Sequence, residues 1–110
     1  MGTVTPLGEF EQLILLAILR LGDGAYAVTI TSEIEERAGH GVSSGAVYTT
    51  LNRLEEKGYL RSHRGDSRPM RGGRPRRLYH LEPDGLEALQ SAIGVLRRMS
   101  AGLEPLLGEV

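Results

Sequence analysis

The chain has 110 residues, 40% of them hydrophobic and 25% charged, with 13 basic against 14 acidic side chains and no cysteine. Such a composition describes one modest globular domain and excludes a disulfide framework, a thiolate nucleophile and a zinc ribbon. The longest apolar run, residues 13–19, is far short of the ~20 residues that a bilayer span needs. It follows Glu9 and Glu11 rather than basic residues, so it reads as a buried helix of a cytoplasmic protein and not as a secretion signal.

Residues 7–21 (LGEFEQLILLAILRL) are apolar nearly all the way round, and Gly22-Asp23-Gly24 stops them. A helix apolar on every side must be covered on every side, and in so small a domain part of that cover is expected from a second chain. Residues 28–38 set Ile30 and Ile34 four apart among charges, which predicts an amphipathic helix ending at Gly39 and Gly41. Ser43 and Ser44 offer N-cap oxygens to a third helix within residues 43–57, whose stripe of Val47, Leu51 and Leu54 turns inward. Two β-like runs follow, YLRSHR and RRLYHL, joined by a long glycine- and proline-containing loop. Pro83 then opens a last helix at a position where its missing N–H costs nothing. Its stripe of Leu86, Leu89, Ile93, Leu96, Leu103 and Leu107 suits packing against another helix, although Gly94, Gly102 and Pro105 interrupt it. The order of elements predicts a mainly α fold with a small β-hairpin. It is a winged helix-turn-helix over residues 1–81 followed by a dimerisation helix over 82–110, the two forming one compact unit.

Between Arg61 and Arg77 the chain gathers seven arginines with a single acid, Asp66, leaving 6 basic against 13 acidic residues elsewhere. Duplex DNA carries one negative charge per ~1.7 Å of axis, so an arginine-rich wing gains by releasing counterions. The candidate wing contacts are Arg64, Arg68, Arg71, Arg74 and Arg76. On the third helix the outward side chains are expected to be Ala46, Thr49, Thr50 and Arg53, with Ser43, Ser44, Tyr48 and Asn52 at its near end or flank. Their hydroxyls and amides can reach base edges or phosphates, and an arginine can pair bidentately with guanine.

The run VSSGAVYTTLNRLEEKGYL, followed by GGRPRRLYHLEPDGLEAL, resembles the PadR family of bacterial transcriptional regulators. The matching positions are Gly45, Val47, Tyr48, Leu51, Arg53, Leu54, Glu55, Gly58, Arg77, Tyr79 and Gly85, and the likeness extends over most of residues 8–95. It implies a homodimeric repressor that binds a palindromic operator in double-stranded DNA, with the last helix crossing to the partner's first helix. The interface residues expected from that arrangement are Phe10, Leu13, Leu86, Leu89, Ile93, Leu96, Met99, Leu103 and Leu107. A small-molecule inducer at the seam is carried as a candidate partner. The chain departs from the family in having Thr49 where many relatives have proline and Glu82 where many have threonine. It also has no tryptophan, so the family's tryptophan-based binding of flat aromatic drugs is not expected here.

Other signals are weaker. GHGVSSG (39–45) approaches a dinucleotide-binding glycine pattern but follows a helix rather than a strand. His63 and His80 lie on the two wing strands without the further ligands that a metal site needs. No serine or acid is spaced to pair with a histidine, so neither catalysis nor a cofactor is expected. An RNA reader would display more stacking aromatics than four tyrosines and one phenylalanine. The remaining alternative is a winged-helix interaction module whose arginines contact an acidic protein partner.

Overall fold

The computed structural model describes residues 6–65 and 76–108. Helices α1 (Glu9–Leu21), α2 (Ala27–Ala38) and α3 (Ser44–Glu56) are followed by strands β1 (Leu60–Arg64) and β2 (Arg77–Leu81). Helix α4 (Pro83–Ser100) and a single turn, α5 (Glu104–Leu107), complete the chain. A short 3-10 turn, Gly22–Gly24, links α1 to α2. This is the expected helix, helix, helix, hairpin, helix order of a winged helix.

Local chemistry sets the boundaries. The Ser43 hydroxyl caps α3 by accepting from the Ala46 N–H at 3.0 Å. Glu11 reaches back from the first turn of α1 to accept the Gly8 N–H at 2.8 Å, a carboxylate where the helix dipole favours one. At the end of α3 the chain turns through Gly58, whose φ of 80° is the left-handed conformation that a side chain disfavours. The Tyr59 N–H then closes onto the Leu54 carbonyl at 3.0 Å.

Ile14 and Leu15 of α1, Ile30 of α2 and Val47, Leu51 and Leu54 of α3 form the fully buried centre, joined by Leu60, Tyr79 and Leu89. The three stripe residues of α3 are therefore core, as their spacing predicts. The strands pair antiparallel with Arg61 opposite His80 and Ser62 opposite Tyr79. Strand alternation then sends Leu60, Ser62 and Tyr79 to the inner face and Arg61, His63, Leu78 and His80 to the outer one. Tyr79 also donates its backbone N–H to the Ala25 carbonyl at 2.9 Å, anchoring the hairpin to the α1–α2 turn.

Two expectations for the last helix need correction. The helix expected over 82–110 is shorter: α4 ends at Ser100, the chain turns with φ 87° at Gly102, one of the residues expected to interrupt it, and Leu103 and Leu107 lie beyond α4. Leu89, expected at the seam between chains, is only 2% exposed and belongs to this chain's own core. It joins the core cluster that includes Ile14, Leu15 and Leu51. Glu82 donates its N–H to the Tyr59 carbonyl at 2.9 Å, and a Cβ on the buried Gly85 would collide with that same carbonyl oxygen.

Candidate nucleic-acid interface

Helix α3 advances 100° per residue, so its exposed arc follows from what covers each edge. On one edge the Lys57 ammonium meets the Glu11 carboxylate of α1 at 2.9 Å. Thr50, seven residues earlier on the same edge, is only 6% exposed. The expectation that Thr50 points outward is therefore corrected: it is buried on an edge that the apolar spacing alone left open. The opposite edge carries Tyr48, which is 53% exposed, and Glu55, half-buried beside the wing. Between these edges Ala46, Thr49, Asn52, Arg53 and the acid Glu56 are exposed, and Ser43 and Ser44 are exposed at the N-terminal end.

The α2 helix adds side chains that the sequence reading did not include. Val28, Thr31 and Ser32 line a hollow of about 220 Å³ with Ser44, Val47 and Tyr48. Val28 is 65% exposed although apolar. Their i, i+3, i+4 spacing, turned away from Ile30 and Ile34, was the signal that could have marked them as a second outward surface.

The arginines separate into different roles. Arg68, Arg71 and Arg74 lie outside the described residues. Arg64 is exposed at the end of β1. Arg76 is exposed where the chain re-enters β2, its guanidinium 4.5 Å from the centre of the Tyr26 ring. Arg61 pairs with Glu82 at 2.9 Å on the outer face. Arg77 donates at 2.9 Å to the Ser62 hydroxyl, which itself donates at 2.7 Å to the Glu55 carboxylate. The hairpin is thus tied to α2 through Tyr26, to α4 through Glu82 and to α3 through Glu55.

Electrostatics mark two groups. Burial alone would raise the Glu11 carboxyl, but the Lys57 ammonium, the Gly8 N–H and the Arg53 charge outweigh it and hold the group below the usual carboxylate range. Burial pushes the Tyr79 phenol up, and Glu55 and Tyr48 push it further, against the opposing charge of Arg77. His63 and His80 stack with ring centres 4.9 Å apart and planes 6° from parallel. Among the described residues no group of three or more histidine, cysteine or acidic side chains is placed to hold a metal ion. No described helix is long and apolar enough to cross a membrane.

The expected interface residues are spread over both chain surface and core. Phe10, Leu13 and Ile93 are half-buried against the core. Leu86, Leu96, Met99, Leu103 and Leu107 are exposed, Met99 at 75%. Val95 and Leu106, absent from the expected set, are exposed as well. Pro6, Leu7 and Gln12 face Ala88, Ala92, Val95 and Leu96 across a groove of about 310 Å³.

Comparison with known proteins places this geometry. Residues 15–91 match the Transcriptional regulator PadR-like family, whose members are regulators rather than enzymes. No curated protein matches the chain. Among solved structures it is similar to a PadR-like transcriptional regulator from Bacillus cereus, at 22% identity and TM-score 0.70 over 92% of this chain and 93% of that one. A PadR family transcription regulator from Clostridium difficile is similar at 24% identity and TM-score 0.70, over 90% of this chain and 99% of that one. A transcriptional regulator from Clostridium thermocellum is similar at 19% identity and TM-score 0.70, over 87% of each chain. At these identities the structures speak for the fold, while the match over residues 15–91 speaks for the family: this chain belongs to the PadR-like transcriptional regulators.

Proposed function

We propose that this regulator is a homodimeric repressor that binds a palindromic operator in double-stranded DNA through α3 and the arginine-rich segment 61–77. The observation that carries the reading is the exposed arc of α3. Thr49, Asn52 and Arg53 are exposed, Ser43 and Ser44 flank them, and the basic hairpin lies beside the edge that carries Tyr48 and Glu55. A helix with that arc fits the major groove, and the hairpin then lies along the adjoining backbone. Hydroxyls of Thr31, Ser32 and Ser44 around the α2–α3 hollow suit sugar and phosphate contacts, and the apolar Val28 suits a thymine methyl.

Dimerisation is supported by the apolar surface of α4 and α5, where Val95, Leu96, Met99 and Leu106 stand exposed on an 18-residue helix and the turn after it. A two-fold pair joined there would set its two α3 helices about one DNA turn, ~34–36 Å, apart. An inducer would enter at the groove between the start of α1 and α4.

The test is fluorescence anisotropy with the duplex immediately upstream of the protein's own gene and a shuffled duplex, across a salt series. Specific binding ~10³-fold tighter than to the shuffled duplex, both falling steeply with salt, is the expected result. Equal binding to both duplexes removes the autoregulatory operator. Absence of binding to either at low salt removes the nucleic-acid reading and leaves an acidic protein as the partner of the wing.

A further inference from the structure

Glu55 is an acid at the border of the proposed DNA surface. It lies seven residues after Tyr48 on the edge of α3 turned to the wing, so the proposed DNA surface is bordered by a carboxylate. A negative charge there opposes phosphate unless something offsets it. The only described side chain that hydrogen-bonds the Glu55 carboxylate is Ser62, at 2.7 Å, and Ser62 in turn accepts from Arg77 Nη1 at 2.9 Å. The three residues come from α3, β1 and β2, so the chain of bonds exists only when the helix and both strands hold their mutual positions.

We propose that Arg77 is a positioning residue for nucleic-acid binding, acting through Ser62 on Glu55, and not itself a phosphate contact. The inference rests on the DNA-binding reading and adds to it a division of labour within the wing. Arg77 offsets the acid at the wing-side edge of the binding surface and fixes the hairpin against α3, leaving the exposed Arg64 to meet the backbone. Tyr79, on the inner face beside them, feels Glu55 and Arg77 with opposite sign, which places all three within one electrostatic neighbourhood. Ser62 is well suited to the middle position because one hydroxyl can accept from a guanidinium and donate to a carboxylate at once. The arginine beside Arg77 in sequence, Arg76, is turned instead to the Tyr26 ring.

The experiment is a double-substitution cycle read on the full chain with a mixed-sequence duplex, since offsetting a charge is independent of base sequence. Anisotropy titrations across a salt series compare wild type, Arg77→Met, Ser62→Ala, Glu55→Gln and Glu55→Gln with Arg77→Met, and thermal melts of the free proteins accompany them. Arg77→Met and Ser62→Ala are expected to weaken binding about three- to tenfold at low salt. Adding Glu55→Gln should restore the Arg77→Met protein to within about twofold of wild type, because the opposing charge has gone. The melts should show coupling between positions 55 and 77 without DNA, and Arg77→Lys should recover most of the affinity.

If Arg77 touched phosphate directly, Arg77→Met would weaken binding equally in the wild-type and Glu55→Gln backgrounds and lower the salt slope by about 0.9. Either that pattern or a free-protein cycle with no coupling overturns the proposal. If wild type binds no duplex at low salt, the nucleic-acid reading falls and the assigned role falls with it, whatever the melts show.

Discussion

Helices α3 and α4 carry apolar stripes of the same kind and meet different fates. In α3, Val47, Leu51 and Leu54 are fully buried, while in α4 only Leu89 of the leucine stripe is, and Leu86, Leu96 and Met99 remain exposed. Helical spacing therefore says that a side is apolar and not what lies against it. Helix α3 is short and enclosed by α1, α2 and β1, so its stripe has one solution within the chain. Helix α4 packs against α1, but Leu96 and Met99 in its second half remain exposed.

Substitutions can sharpen that contrast. The largest effect is expected from Leu54→Ala, which opens a cavity in the fully buried centre and should cost about 2–5 kcal/mol in denaturant unfolding. The equivalent truncation Leu96→Ala should cost well under about 1 kcal/mol in a dilute, monomeric sample. An equal loss at both positions would show that α4 is as enclosed as α3. Next comes Gly85→Ala, where the added methyl meets the Tyr59 carbonyl and must push α4 from the wing; a loss of about 1–3 kcal/mol is expected, read by thermal melting. Met99→Asp addresses the other side of the contrast. Under the proposed dimer it should leave the melt of the dilute protein unchanged and weaken self-association by at least ~10-fold in sedimentation equilibrium.

A smaller effect concerns the clamp between α1 and the end of α3. The Glu11 carboxyl is held below its ordinary value in the folded chain, so its contribution is fully present above the pKa of the unfolded chain and is lost as pH falls through the folded one. Glu11→Gln should cost about 1 kcal/mol at neutral pH and remove that part of the acid-side decline in stability. An acid limb unchanged by Glu11→Gln would show that the Lys57 pair contributes nothing.

What can be read from the residues follows the range of the interaction that decides each feature. The Ser43 cap, the Gly58 turn and the α3 stripe are decided within a few residues, and the sequence displays them. The helix-turn-helix order and the wing are legible because glycine, proline and arginine punctuate them. Thr50 departs from its expected place because it is buried by packing that the spacing within α3 does not reveal. Leu89 leaves the expected seam because it joins this chain's own core cluster, a long-range packing that the stripe alone does not reveal. The Glu55–Ser62–Arg77 chain is invisible in the sequence because it depends on the register of two strands joined across a long loop. Local signals thus locate the candidate interface on α3 and the wing, while long-range packing decides which of its side chains remain available.

The central claim is that the α3 arc and the wing read a two-fold DNA site, and it is tested most directly by selection from a pool of randomised duplexes with the full chain. The account expects enrichment of an inverted repeat whose half-sites are centred about one helical turn, ~34–36 Å, apart. Enrichment of a single unrepeated site would contradict the two-fold arrangement, and a pool left unenriched after repeated rounds would contradict sequence-specific binding itself.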